Sequence, residues 1–81
     1  MTLKMHEIIG KTYRVLNIYE RLKEGKTLVK REEAGRFGVD ERTIQRDLDD
    51  IRAYLAEGGR DGRELVYDRK KRGYLLRSLD K

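Results

Sequence analysis

Ile44, Leu48, Ile51 and Leu55 recur at steps of four, three and four within a stretch that is otherwise mostly polar. At about 100° per residue these positions fall within about 60° of one another on an α-helix. No other periodic signal in the chain is as clear. It predicts a helix over residues 41–57, with one apolar face to hold it against a scaffold and an opposite face left polar. Gly38-Val39-Asp40 precedes it as a tight connection. Gly38 can take a positive φ, Val39 can point inward, and Asp40 can cap the free N–H groups of the helix start.

The rest of the chain is read around that helix. Residues 6–24 predict an amphipathic helix: Ile8, Thr12, Val15, Tyr19 and Leu22 form the stripe, Ile9, Leu16 and Ile18 widen it, and Gly25 stands at its C-cap. Thr27-Leu28-Val29 is a short β-prone run. Residues 30–37 predict a shorter helix ending at Gly38, with only Ala34 and Phe37, helped by Val29, on its apolar face. Gly35 inside it costs about 1 kcal/mol relative to alanine, so this helix needs tertiary packing to persist. Gly58-Gly59-Arg60-Asp61-Gly62 is a turn region. Glu64–Asp68 and Tyr74–Arg77 are β-prone and flank Arg69-Lys70-Lys71-Arg72-Gly73, which predicts a hairpin with a basic tip and a turn glycine. The expected fold is mainly α with a small β-hairpin over about residues 63–77, in one domain spanning residues 1–81; the polar residues 78–81 are assigned no element.

Composition narrows the function. A domain of 81 residues buries only roughly 60–65% of the surface its unfolded chain exposes, which leaves no room for a large enclosed active site. There is no cysteine, so disulfides, thiolate nucleophiles and cysteine metal sites are excluded, in keeping with a reducing compartment. The longest apolar run is Ala53-Tyr54-Leu55-Ala56, which supplies neither a membrane span nor a signal-peptide core, and a cytoplasmic location is expected. Charged residues make up 43% of the chain and the net charge is +5. They are unevenly placed: residues 47–57 hold four acids and one arginine, whereas residues 58–81 hold eight cations and four acids. Such a distribution suits a face made to meet an anion, or simply a solvated surface.

Opposite the stripe of the third helix, the helical step places Arg42 and Arg46, with Gln45 and Asp49 beside them. Arginine can bridge guanine O6 and N7, and glutamine can pair with adenine N6 and N7, so Arg42, Gln45 and Arg46 are the candidate base-reading residues. Thr43, near the helix start, can donate to a phosphate. The tip cations Arg69, Lys70, Lys71 and Arg72 can lie along a phosphate backbone, and Lys30, Arg31 and Arg36 of the second helix can touch the flanking backbone. Each assignment has a plainer counterpart. Arg46 is within pairing range of Asp49 and Asp50 on a solvated helix face, and a charged hairpin can simply discourage edge-to-edge aggregation.

Helix, short helix, glycine turn, longer helix and basic hairpin is the order of a winged helix-turn-helix. Gly38-Val39-Asp40-Glu41-Arg42-Thr43-Ile44-Gln45-Arg46-Asp47-Leu48 resembles the helix-turn-helix of DeoR-like regulators, especially the N-terminal DNA-binding domains of bacterial WYL-domain transcription factors. Val66-Tyr67-Asp68-Arg69-Lys70-Lys71-Arg72-Gly73-Tyr74-Leu75-Leu76 is similar to the wing of the same domains. The resemblance spans roughly residues 6–77. It implies sequence-specific binding of double-stranded DNA and transcription regulation, with the third helix in the major groove. Two local departures stand out. Those domains usually carry an apolar residue where this chain has Glu33, and a stronger helix former where it has Gly35. The chain is also too short to include the C-terminal ligand-sensing region of WYL regulators, so an excised DNA-binding domain and a short stand-alone relative are both consistent with it.

Enzymatic alternatives find no constellation. His6 is the only histidine and has no partner cluster, so a surface or capping role is expected. On a helix Asp47 projects about 60° from Asp50 and about 160° from Asp49, so the three do not converge on a metal; Asp47 is expected to fix an arginine and the other two to be solvated. Gly58–Gly62 lacks the lysine and hydroxyl residue of a phosphate-binding loop. No catalytic residue, metal or cofactor is expected. A protein-interaction module on the same fold, encouraged by the acidic stretch, and a nonspecific DNA-binding protein remain the alternatives. A homodimer would suit symmetric DNA sites, but the sequence displays no seam for one.

Overall fold

The computed structural model describes residues 5–58 and 62–78, with side chains from residue 10 onward. The side chains of His6, Ile8 and Ile9, the turn residues Gly59-Arg60-Asp61 and residues 79–81 lie outside the described part. Three helices precede a two-stranded hairpin: α1 (Met5–Lys23), α2 (Lys30–Phe37), α3 (Glu41–Glu57), β1 (Arg63–Asp68) and β2 (Gly73–Ser78). The strands pair antiparallel, from Arg63 opposite Ser78 to Asp68 opposite Gly73. No helix among the described residues is long and apolar enough to cross a membrane.

The stripe of α3 is the keel of the core. Ile44, Leu48, Ile51 and Leu55 are all buried, and they meet Ile18 and Leu22 of α1, Leu28, Ala34 of α2 and Leu65 of β1. Asp40 starts the helix as its N-cap, its carboxylate accepting from the Thr43 backbone N–H at 2.8 Å. Gly38 ends α2 with φ of 68°, a left-handed conformation that costs glycine nothing. Its N–H and that of Val39 both return to the Ala34 carbonyl, which turns the chain directly into α3.

The buried face of α1 is rotated from the one its apolar residues suggest. Thr12 is exposed and Leu16 is 55% exposed, while Ile18 and Leu22 are fully buried. Arg14 and Arg21 account for the rotation. By the helical step they lie about 40° and 60° from Ile18, inside the packed sector. Arg14 donates through Nε and Nη2 to the two carboxylate oxygens of Asp47, which is buried on α3. Arg21 donates through Nη1 and Nη2 to Glu33 at 2.9 and 2.6 Å, and through Nε to Asn17 at 2.8 Å. Hydrogen bonding to these carboxylates pushes both guanidinium groups further above their ordinary range. Glu33, out of place by sequence pattern, is therefore half of a buried, two-pronged ion pair that fastens α2 to α1.

The hairpin is fastened to the helical part through its core side chains and through a backbone bridge. Leu65 enters the core from β1. Leu28 and Tyr74 exchange backbone hydrogen bonds of 2.8 and 2.7 Å, so the β-prone run before α2 contributes a single bridge to the edge of β2. Gly73 makes that approach possible: a Cβ there would sit 2.6 Å from Thr27 Cγ2 and 2.8 Å from the Leu28 carbonyl oxygen. It is not the turn glycine expected from sequence. The left-handed residue of the turn is Arg72, with φ of 57°. The turn is also held by the Asp68 carboxylate, which accepts from the Lys71 N–H at 2.9 Å.

Candidate nucleic-acid interface

Because its apolar stripe is committed to the core, α3 turns Arg42 and Arg46 outward, and both are exposed. The sequence allowed Arg46 to pair with Asp49 or Asp50, and it does neither. Asp49 instead accepts from Arg52 at 3.3 Å and from Gln45 Nε2 at 3.0 Å, and Asp50 pairs with Lys11 at 3.2 Å. With Asp47 turned to Arg14, two of the three aspartates tie α3 to α1 and the third pairs within α3. Asp49 and Asp50 are exposed, as expected, but each has a partner.

Gln45 is half-buried and held from several sides. Its Oε1 accepts from Lys30 Nζ at 2.8 Å and from the Tyr74 hydroxyl at 3.4 Å, while its Nε2 donates to Asp49. One side chain thus ties α2, α3 and β2 together. With both lone pairs of Oε1 engaged and one Nε2 hydrogen given to Asp49, Gln45 retains a single further donor. Thr43 is half-buried at the start of α3 with its backbone N–H committed to Asp40. The same hydrogen bond, with the Thr43 side chain and the nearby Arg42 and Arg46, holds the Asp40 carboxyl below its ordinary range.

A shallow groove of about 230 Å³ runs where the start of α2, the start of α3 and the hairpin meet. Lys30, Arg31, Glu41, Tyr67, Arg72 and Tyr74 line it. The tyrosines face each other across the strands, edge to face with ring centroids 5.1 Å apart. Neither was singled out from sequence, although they flank the hairpin's run of cations and fall at facing register positions. Arg69, Lys70, Lys71 and Arg72 form the exposed hairpin turn. Arg36 is not part of this gathering: it lies about 140° around α2 from Arg31 and sits 3.6 Å from Glu33.

Charge pairing divides the cations. Among the described residues, Lys11, Arg14, Arg21, Lys26, Arg36 and Arg52 each have an acid partner. Lys23, Lys30 and Arg77 have none, and neither do Arg31, Arg42, Arg46, Arg69, Lys70, Lys71 and Arg72. The last seven, with Lys30, occupy the beginning of α2, the outward face of α3 and the hairpin turn. Aromatic faces, a half-buried amide and unpaired guanidinium groups together equip this side to hold a polyanion and to hydrogen-bond its edges. No family model matches the chain, and no curated protein or solved structure matches it either.

Proposed function

We propose that this chain is a winged helix-turn-helix domain that binds double-stranded DNA sequence-specifically, as a transcriptional regulator or the DNA-binding part of one. The observation that carries the proposal is a gathering of cations: those on the α2 start, the α3 outer face and the hairpin turn lack acid partners, while most cations elsewhere among the described residues are paired. A surface charge kept free of intramolecular partners is available to displace counterions from phosphates. In this reading α3 enters the major groove, with Arg42 and Arg46 reaching guanine edges and Gln45 donating to a base acceptor. A bidentate contact of Gln45 with adenine would first require Lys30 to leave Oε1. Arg31, Arg69, Lys70, Lys71 and Arg72 would hold the backbone, and Lys30 would join them only by giving up Gln45.

The acidic stretch gives little support to a protein-interaction module, since Asp47, Asp49 and Asp50 are each paired within the chain. The test is selection of bound sequences from a random duplex pool, followed by titration of the selected duplex. Arg46→Ala is expected to weaken that binding by about 1–3 kcal/mol and to relax the preference at one base position. Equal affinity for selected and mixed duplex would leave only nonspecific binding, and no salt-sensitive affinity at all would refute DNA binding.

A further inference from the structure

Tyr13, Leu16 and Tyr54 are 61%, 55% and 59% exposed, on a chain with 43% charged residues. Tyr13 and Leu16 lie one turn apart on α1. Leu16 walls a groove of about 340 Å³ between α1 and α3, with Val15, Tyr19, Ile51 and Tyr54 as its apolar lining and Asp50 at its rim. The groove continues past Asp50 to Lys11 and Thr12. None of the unpaired cations of the candidate interface borders it, so it offers nothing to a polyanion.

We propose that this face is the seam between two copies of the chain, related by a two-fold axis passing near Leu16. A two-fold contact must be self-complementary, and here a protruding apolar knob, Leu16, stands beside an apolar hollow that a second Leu16 can fill. The charges agree with the same operation. Lys23, toward the end of α1, rests its ammonium 5.2 Å from the centre of the Tyr19 ring and has no acid partner among the described residues, while Asp50 marks the other rim. Reversing one copy brings Lys23 toward the partner's Asp50, whose pairing with Lys11 is exposed and open to a second cation. Area sets the strength. Leu16 and Tyr54, the exposed side chains that line the groove, offer roughly 200–250 Å² together, well under half of the 800 Å² per partner of a standard interface. The association is therefore weak and concentration-dependent, and it does not depend on the DNA-binding proposal.

Sedimentation equilibrium without DNA, from about 1 μM to about 1 mM, reads this directly. The mass is expected to rise from monomer toward dimer across that range. Leu16→Glu should stay monomeric throughout with unchanged helical circular dichroism, because Leu16 lies outside the core. Lys23→Asp should weaken association about tenfold, and adding Asp50→Lys should restore it. A monomer at the highest concentration, or a dimer indifferent to Leu16→Glu, overturns the proposal. A charge swap that restores nothing overturns the two-fold arrangement.

Discussion

Three residues carry opposed or unusual loads. Arg72 holds a left-handed backbone at φ of 57°, a conformation that costs a side chain with a Cβ roughly 1–2 kcal/mol. Arg72→Gly is expected to raise stability by about 0.5–1 kcal/mol, glycine's entropy in the unfolded chain offsetting part of the relief. The same change removes a cation from the hairpin turn and should weaken DNA binding. Thermal melts and duplex titrations on one variant should thus move in opposite directions. Asp47 is 1% exposed against an Arg14 that is 12% exposed. Asp47→Ala leaves a part-buried guanidinium without its acid and should cost about 1–3 kcal/mol by denaturant titration. Asp40 is governed by pH instead. Its cap holds the folded-state pKa below the unfolded value, so its stabilisation is complete above the ordinary carboxylate range and is lost as pH falls through the folded pKa. The melting temperatures of the native chain and Asp40→Ala should differ at neutral pH and converge in acid.

At the scale of elements, legibility in the sequence followed the source of order. α3 was plain because its stripe, its Asp40 cap and its preceding Gly38 are local and mutually consistent. The face of α1 was misjudged because pattern reading sends arginines to the surface, whereas Arg14 and Arg21 sit in the packed sector through acids on other helices. Only tertiary structure supplies those acids. The second helix looked poorly matched at Glu33 for the same reason. In the hairpin the basic turn was evident, but the purpose of Gly73 was not, since it concerns the backbone of a residue far away in sequence. Gly73→Ala should therefore act beyond the turn. Its methyl group meets the Leu28 carbonyl, and the hairpin must shift or the bridge between Leu28 and Tyr74 must open. A loss of about 1–3 kcal/mol is expected, with faster hydrogen exchange at the Leu28 and Tyr74 amides. Unchanged protection there would show that the bridge tolerates the methyl group. Of the candidate interface, the cations were visible as residue types, while their freedom from partners and the tethering of Gln45 were not.

For the molecule as a whole, the two faces make separable demands. The unpaired cations of the candidate interface gather on one side, and the apolar groove between α1 and α3 shares no lining residue with the groove there. Replacing Lys70 and Lys71 by glutamine should weaken binding to all duplex sequences alike and reduce the slope of log affinity against log salt by about 2. Sequence preference should persist, since the outward face of α3 is untouched. An unaltered slope would remove the hairpin from the phosphate contacts. The Arg21–Glu33 pair has a consequence of another kind. Neither member is tolerable alone in a buried position, so the two sites form one heritable unit. Any lineage that replaces Glu33 with an apolar residue is expected to have surrendered Arg21 as well, and grafting only one of them onto such a relative should impair it.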